Sequence, residues 1–451
     1  MNRLPLAIAC ALPLSLLAAA EPLVLALGWA AAFGMLLMAR LPIVLCLAFV
    51  LFSTFRLHEL DPRLLSLRLP QLLAMASLAV LLWQLVVVKS ARTTLYREGW
   101  LLLGLFGVTT VGMVLATNSG LAFGYWSGNW IKVVIMCLAI SWLLKDRSQM
   151  ALAGWLIILS GALVAAVALY NSANGLQVVE GTRVTIGRSW GSMLGDPNDL
   201  ALVLLLPVSF ALNRALTPLP GRAVAMVVLV ALILALLATQ SRGGLLGLCA
   251  ISGCSVLLRY RLPKWVWLLA PVALLLLMSL AGINERQSGG AAESGIDESA
   301  MGRLYAWQAA ISMGLSHPLF GVGLDNFYSN YFFHSPHWDG RNHAVHSSWF
   351  QVLAEAGVLG LLLFVGFVAG LIQRARRLRR LLAEGGDADA LSWASALYSG
   401  LIGFAVSATF LTQAFTWPLY VMASLVWAGW RIYLSVPELS KGENHVSYSC
   451  A

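Results

Sequence analysis

The sequence is poor in charge. Only 11% of its 451 residues are Asp, Glu, Lys or Arg, whereas 59% are hydrophobic and the mean hydropathy is +0.80. A soluble globular domain carries about 25% charged residues. This composition excludes a soluble protein and predicts an integral membrane protein.

Cysteine is also scarce, with six residues in the chain and no CxxC pair. All six fall in predicted spans or in the inner tail, so disulfides between outer loops and a cysteine-based metal motif are excluded. No Walker sequence occurs, and "GVGLDN" at 321–326 stops short of the dinucleotide-binding pattern. Nucleotide binding is therefore not expected. No internal repeat is evident either.

Apolar runs long enough to cross a bilayer as helices recur along almost the whole chain. They predict an all-α polytopic membrane protein of about 12 to 14 transmembrane helices, forming a single multi-span domain over residues 1–451. The first run, 4–20, is preceded by a basic start and followed by small residues, so a cleaved signal peptide is the alternative reading. The predicted spans are 4–20, 22–39, 41–55, 70–88, 100–117, 129–144, 151–171, 197–213, 223–239, 243–258, 265–283, 347–372, 391–411 and 416–434.

Lys and Arg set the expected orientation, because they accumulate in cytoplasmic loops. With the N-terminus inside, 19 of the 29 basic residues lie in inner segments, and the densest run is "QRARRLRR" at 373–380. This run is typical of a topology anchor at anionic lipid. The net charge of +9 needs no nucleic-acid partner.

One long extramembrane segment, 284–346, is predicted on the outer side of the membrane. It is expected to contain short amphipathic helices, one of them near 300–314. Its aromatic stretch, "SHPLFGVGLDNFYSNYFFHSPHWDG", suits the level of the lipid headgroups. We therefore expect this loop to lie along the membrane surface.

Cationic and titratable residues gather on the same predicted side. Guanidinium groups bind phosphate through two donors and keep their charge, and histidine exchanges a proton near neutral pH. These residue types favour a phosphate-bearing substrate at the outer face. Simpler readings stay open: "SRGG" is also typical of a hairpin with a snorkelling arginine, and His343 of a loop histidine. The residues concerned are Arg183, Arg188, Arg242, Arg303, His343 and His346.

Other local motifs favour structural roles. "GDPND" at 195–199 predicts a helix start, with Asp196 as N-cap, Pro197 at N1 and Asp199 completing a capping box. "GRSWG" at 187–191 matches a nucleophile elbow in letters, but a loop between spans lacks the strand, turn and helix which that motif needs. Glu355 lies deep in a predicted span and requires a partner, which the sequence does not name.

Two H-x-x-H pairs, "HSPH" and "HAVH", have a spacing that can share a metal. Proline and glycine separate the two pairs, so we expect neither a metal nor a cofactor.

Four motifs together resemble the bacterial O-antigen ligase and polymerase superfamily. They are "GDPNDLALVLLLP", "SRGGLLGL", "SHPLFGVGLDNF" and "HAVHSSWFQVLAEAGVLGLLLF", and the resemblance covers roughly 180–372. It implies a metal-independent, inverting glycosyltransferase that takes a glycan from undecaprenyl diphosphate on the periplasmic face. The implied acceptor is lipid A-core in a ligase and another glycan in a polymerase.

The resemblance also assigns roles to residues. It makes His346 the general base or the group that orients the acceptor, and it makes Arg188 and Arg242 the clamp on the diphosphate. Arg303 is a further binding candidate. Where many members have His-Asn, this chain has Ser347 after the histidine. A flippase for the same lipid is the alternative class, although it would favour internal repeats and charges at the bilayer midplane.

Overall fold

A computed structural model describes residues 42–60, 69–89, 93–260, 298–338 and 340–434. Within these ranges the regular secondary structure is helical apart from one two-stranded hairpin with two residues in each strand. The prediction of an all-α polytopic membrane protein is confirmed. The predicted spans 4–20, 22–39 and 265–283, and the first part of the long loop, lie outside the described residues.

The helices follow the predicted apolar runs closely. In chain order, they are α1 Pro42–Phe55, α2 Leu69–Leu82, α3 Arg97–Val114, α4 Ser119–Tyr125, α5 Ile131–Leu143, α6 Arg147–Ala173, α7 Pro197–Ala215, α8 Arg222–Ala238, α9 Arg242–Leu257, α10 Glu298–Ser316, α11 Phe327–His334, α12 Ser348–Glu384, α13 Ala388–Ser407 and α14 Trp417–Leu434. The π-helical turn Trp126–Trp130 joins α4 to α5, and the strands β1 Val178–Val179 and β2 Arg183–Val184 follow α6.

Six helices of the described chain are long and apolar enough to cross a membrane, and α1, α8 and α9 are shorter apolar helices. The six are Leu69–Val87, Ser119–Leu143, Arg147–Ala173, Pro197–Ala215, Ser348–Glu384 and Ala388–Ser407. Each predicted span within the described ranges corresponds to a helix. The expected helix near 300–314 is α10, and α11 is a second short helix of the extramembrane segment.

Helix α7 lies at the centre of the bundle, where it packs against α6, α8, α9 and α13. Small residues let its neighbours approach. A Cβ on Gly161 of α6 would lie 2.4 Å from the Cβ of Pro207, inside α7. Close packing of this kind replaces the hydrophobic driving force that lipid does not supply between helices.

Helix α12 is broken near its start, and the preceding loop fills the break. Gly357 has φ 73° and ψ −174°, and the amide of Val358 turns aside to donate to the carbonyl of Pro318 at 2.7 Å. One turn earlier, the amide of Val322 donates to the carbonyl of Ala354 at 2.8 Å. The motifs "SHPLFGVG" and "AEAG" are therefore the two halves of one docking contact.

Between α13 and α14 the chain leaves helical geometry over residues 408–416, yet much of this segment is buried. Irregular backbone at membrane depth must satisfy its polar groups within the protein. Most of those contacts go to the start of α12, as described below.

Candidate functional site

Three helix N-termini meet at one end of the bundle, which we call the His346 end. Two of them belong to α7 and α9. The carboxylate of Asp196 caps α7 by accepting from the amide of Asn198 at 2.7 Å, and Pro197 occupies the first turn. Ser241 caps α9, and its hydroxyl also donates to the side-chain oxygen of Asn198 at 2.9 Å. The predicted helix start at "GDPND" is confirmed, and one hydrogen bond joins the two N-termini.

The third N-terminus is that of α12. The segment 408–416 contacts both this N-terminus and α7. The amide of Gln413 donates to the hydroxyl of Ser348 at 3.0 Å, and its side-chain Nε2 donates to Oδ1 of Asp199 at 2.5 Å. Asp199 therefore does not complete the predicted capping box, because Gln413 engages its carboxylate. Helix N-termini attract anions, so this end of the bundle is suited to a negatively charged group.

Arg183 ties these elements together. Its side chain is 2% exposed. The Nε donates to the carbonyl of Thr239 and Nη2 donates to Oδ1 of Asn198, both at 3.0 Å, while Nη1 lies 3.3 Å from a carboxylate oxygen of Glu180. The arginine thus joins the hairpin, the end of α8 and the start of α7.

His346 lies between two fixed points of the backbone. Upstream, the indole of Trp307 donates to the carbonyl of Val345 at 3.1 Å. Downstream, the amide of Ser348 donates to the carbonyl of Ala408 at 2.8 Å. His346 itself has φ 46°, in the left-handed region that side chains other than glycine rarely adopt. Strain of this kind persists where the surroundings determine the backbone, and it concentrates at functional sites.

The charges around His346 favour a neutral imidazole. Burial, followed by the positive charge of Arg303, lowers the pKa of His346 below its ordinary value of 6.5. Asp196 acts in the opposite direction, and His343 and Arg183 add smaller lowering effects. A neutral imidazole at pH 7 is able to accept a proton.

Helix α10 places Arg303 and Trp307 one turn apart on the same face. Trp307 holds Val345, as described above, and stacks on Phe350 of α12 with ring centroids 5.2 Å apart. Arg303 is half-buried, and among the charged groups it has the largest effect on the pKa of His346, which it lowers. Arg303, only a further binding candidate in the sequence analysis, is therefore the arginine that lowers the pKa of His346 most.

Arg242 and Arg188 occupy different positions. Arg242 is the first residue of α9 and is half-buried beside the joined N-termini. The turn between α8 and α9 lies over residues 239–241, and the last three residues of "SRGG" are already helical. Arg188 is exposed in the short turn Arg188–Trp190, where Nη1 donates to the carbonyl of Gly195 at 3.1 Å. Neither arginine is among the charged groups that shift the pKa of His346 most.

The turn that carries Arg188 is anchored just beyond the C-terminal end of α1. Trp190 Nε1 donates to the carbonyl of Glu59 at 3.0 Å, and Ser192 Oγ donates to its carboxylate at 2.5 Å. Arg56 forms an ion pair with the same carboxylate at 2.6 Å. "GRSWG" is thus an anchored turn, and its Ser189 hydroxyl accepts from Gln177 Nε2 at 2.9 Å.

The "HSPH" histidines contact α10. His334 Nδ1 lies 3.0 Å from the hydroxyl of Ser312, and the ring of His337 stacks on Tyr305 with centroids 4.8 Å apart. His343 meets the ring of Tyr331 edge-on at 5.3 Å. Among the described residues, no group of three His, Cys, Asp or Glu side chains is placed to hold a metal ion.

Glu355 now has partners. Gln351 Nε2 donates to its carboxylate at 3.3 Å, and the backbone of Asp325 and of Phe327, at the start of α11, also hydrogen bonds to it. A carboxylate at a helix N-terminus is favourable. Glu355 therefore fastens α11 and the docking loop to α12.

Sequence reasoning missed three polar residues that organise this end: Asn198, Ser348 and Gln413. Asn198 lies inside "GDPND", where helix capping explained the motif without it. Ser348 lies inside the quoted motif that follows His346, where the histidine alone drew attention, and Gln413 lies between two apolar runs and belongs to no motif. The sequence offers one signal for them: a polar side chain within an apolar stretch requires a hydrogen-bond partner when it is buried.

The family model described as O-antigen ligase matches residues 227–365. Residues 227–365 match the O-antigen ligase domain. The predicted resemblance is thus confirmed over this segment, which is shorter at its start than the range read from the motifs. Within the O-antigen ligase domain lie Arg242, Arg303, His343 and His346, whereas Arg183 and Arg188 precede it. A search of curated proteins finds no match to the chain.

The match to the O-antigen ligase domain supports a multi-pass membrane enzyme of the glycosyltransferase type, with a ligase- or polymerase-like function. The family implies substrates that are lipid-linked glycans. The organising residues Asp199 and Gln413 lie on opposite sides of the domain in sequence, so the rest of the bundle completes the site.

Proposed function

We propose that the protein transfers a glycan from undecaprenyl diphosphate to a hydroxyl of lipid A-core, as an O-antigen ligase. The reaction takes place at the His346 end, on the periplasmic face of the bacterial inner membrane. The observation that carries this proposal is the meeting of three helix N-termini beside Arg242, Arg303 and a neutral His346. Anion-binding and proton-accepting groups are thereby placed together at a membrane boundary.

In the proposed reaction His346 takes the proton of the acceptor hydroxyl. The acceptor oxygen forms a bond to the anomeric carbon as the bond from that carbon to the diphosphate oxygen breaks. Undecaprenyl diphosphate leaves with the electron pair. One direct displacement inverts the anomeric centre and needs neither a metal nor a cofactor.

The developing charge on the diphosphate is held by fixed donors. Arg242 and Arg188 are the proposed clamp, supported by the amides at the starts of α7 and α9. Donors that are in place before the reaction stabilise the transition state with little reorganisation. Arg303 has two effects, since it adds charge near the diphosphate and keeps His346 neutral. Arg183 supports this arrangement by holding the hairpin against α7, and His343 borders the site.

The test is incubation of the purified protein in nanodiscs with an undecaprenyl-diphosphate-linked O-antigen and lipid A-core. A lipid A-core product of higher mass, with release of undecaprenyl diphosphate, supports the ligase. Joining of one donor glycan to another without lipid A-core assigns a polymerase. Movement of the donor across the bilayer with no new glycosidic bond overturns the transferase and assigns a flippase.

The proposed face is tested by cysteine labelling of Ser288→Cys and Ser440→Cys in a cysteine-free background. An impermeant reagent added from the periplasmic side is expected to label position 288 alone. Labelling of position 288 from the cytoplasmic side alone contradicts a periplasmic site.

A further inference from the structure

The segment 408–416 lies after the O-antigen ligase domain, yet it makes some of the closest contacts at the start of α12. It is neither helix nor strand, and it is buried where α13 gives way to α14. Several of its polar groups nevertheless have partners on neighbouring helices. The carbonyl of Phe415 accepts from Asn129 Nδ2 at 3.0 Å, and that of Ala414 accepts from the hydroxyl of Tyr420 at 2.7 Å. Irregular backbone fixed in this way forms a rigid part of the bundle.

The segment holds α12 directly downstream of His346. Ser348 Oγ donates to the carbonyl of Leu411 at 2.6 Å and accepts from the amide of Gln413 at 3.0 Å. One turn later, the side-chain oxygen of Gln351 accepts from the amide of Ala414 at 3.1 Å. The start of α12 is thereby joined to the segment through both its backbone and its side chains.

Gln413 is the residue at which the segment meets α7. Its Nε2 donates to Asp199 at 2.5 Å, and its Oε1 accepts a short hydrogen bond from the hydroxyl of Thr416. Both ends of the amide are occupied, and the side chain is 3% exposed. The orientation of the side-chain amide is therefore determined. The backbone N–H of Gln413 donates to Ser348 and continues the connection to α12.

We infer that Gln413 is a positioning residue, which sets the backbone at His346 by coupling Asp199 of α7 to Ser348 of α12. The geometry requires such a support. His346 has φ 46°, and this conformation persists only if both flanking points are fixed. Trp307 fixes one point, and the hydrogen bonds of Ser348 to Ala408 and to the segment that Gln413 anchors fix the other. Gln413 is distant in sequence from both α7 and His346. It thus fixes the position of His346 relative to the start of α7, which is proposed to support diphosphate binding.

This inference rests on the proposed role of His346, so its first test does not use turnover. Diethyl pyrocarbonate modifies neutral imidazoles, and peptide mass spectrometry gives the rate at His346 as a function of pH. In Gln413→Glu two carboxylates face each other and the donor to Asp199 is lost. We expect modification of His346 to accelerate about tenfold, the size expected when a buried hydrogen bond loses a partner. The pH midpoint should rise toward 6.5, while the rate at His337 stays unchanged.

The rescue variant is Gln413→Glu combined with Asp199→Asn, which restores the hydrogen bond with donor and acceptor exchanged. This double variant should return the His346 rate and midpoint toward those of the parent, a coupling that a double-mutant cycle measures. Gln149→Ala is the matched control, because Gln149 Oε1 accepts from the amide of Lys145 at 2.8 Å far from His346. If Gln413→Glu does not insert and fold, Ser348→Ala breaks the same connection and is measured instead.

Glycan transfer separates this inference from the proposed function. A fall in kcat with little change in KM for the donor, reversed in the double variant, supports positioning. Unchanged His346 reactivity in correctly folded Gln413→Glu overturns the inference, and so does failure of the double variant to rescue. Altered reactivity together with full transfer by His346→Ala instead overturns the proposed function and leaves the positioning intact.

Discussion

Gly357 lies against the carbonyl of Pro318, so closely that a Cβ on the glycine would be 2.5 Å from that oxygen. The glycine also has φ 73°, a conformation that strains any other residue. This one contact allows α12 to break and the docking loop to enter. The position of the extramembrane helices relative to His346 depends on it.

Gly357→Ala should therefore destabilise the protein by about 1–3 kcal/mol or more, and protection from hydrogen exchange should fall first in residues 317–327. Gly253→Ala is the control, because nothing lies within 4 Å of its Cβ position in α9. There the alanine should be neutral or stabilising by about 0.5–1 kcal/mol. Equal thermal stabilities of the two variants in nanodiscs would contradict the docking contact.

His346→Ala should abolish glycan transfer and leave binding of undecaprenyl diphosphate close to normal, because the imidazole acts on the acceptor hydroxyl. His343→Ala should reduce transfer less, since this residue contacts Tyr331 and lies before the constrained position. Donor binding and transfer are measured side by side. Near-normal transfer by a correctly inserted His346→Ala protein removes the proposed base.

Arg303→Gln should move the acidic limb of the pH profile of kcat/KM upward. The base must be unprotonated, and the pKa of His346 is lowered by burial and by Arg303. In the parent protein, transfer should consequently fall only below pH 6.5. Removing the positive charge raises this pKa, so the midpoint rises. Arg341→Gln, an exposed arginine of the same extramembrane segment, should leave the midpoint in place.

Replacing either Arg188 or Arg242 by lysine should weaken donor binding and slow transfer. An ammonium group cannot reproduce the planar pair of donors that a guanidinium offers a phosphate. Loss of such a contact in the transition state corresponds to about 30- to 1000-fold in rate. Arg222→Lys provides the control at the opposite end of the bundle, where Nε donates to the carbonyl of Ala215. A clamp arginine that tolerates lysine fully would lose its assigned role.

The turn that carries Arg188 should loosen in acid. Burial works against ionisation of Glu59, but hydrogen bonds with His58 and Ser192 and the charge of Arg56 outweigh it and lower its pKa below 4.5. A lowered carboxyl pKa contributes stability that is present above 4.5 and is lost as the pH falls through the folded-state value. The hydrogen-exchange protection factors of residues 187–195, which are corrected for the intrinsic pH dependence of exchange, should therefore fall in that acidic range.

Glu59→Gln should show the lower protection factors already at neutral pH, and they should not fall further in acid. Glu384→Gln, exposed at the far end of α12, should match the parent. Protection factors of the turn that do not change in acid in the parent protein would exclude Glu59 as its anchor.

Apolar runs and capping residues allowed most of this fold to be predicted. Aspartate followed by proline placed the start of α7 correctly, because an N-cap and a first-turn proline act locally. The short hairpin of β1 and β2 was not predicted, since its strands are two residues long and tertiary contacts of Arg183 hold it. The extent of the segment 408–416 was also missed. Its composition is apolar, and its irregular backbone is stable only through partners on other helices.

The candidate site shows the same division. Residue chemistry alone pointed to the arginines and to His346, because guanidinium and imidazole groups are unusual at a membrane boundary. Arg303 was underrated, since no spacing in the sequence relates it to residue 346. Gln413 could not be found, because its importance comes from two hydrogen bonds across more than 60 positions of sequence.

Beyond Gly357, α12 continues without a break to Glu384, a length of about 40 Å at 1.5 Å per residue. A hydrocarbon core is about 30 Å thick, so the arginine-rich end stands clear of it on the side opposite His346. The basic end of α12 lies at the lipid headgroups on one side of the membrane, and His346 precedes its other end. The length of α12 therefore fixes the distance between those headgroups and His346. When the bilayer thickens or thins, the lipid has to deform around the protein, and the depth at which the reaction takes place is set by the length of one helix.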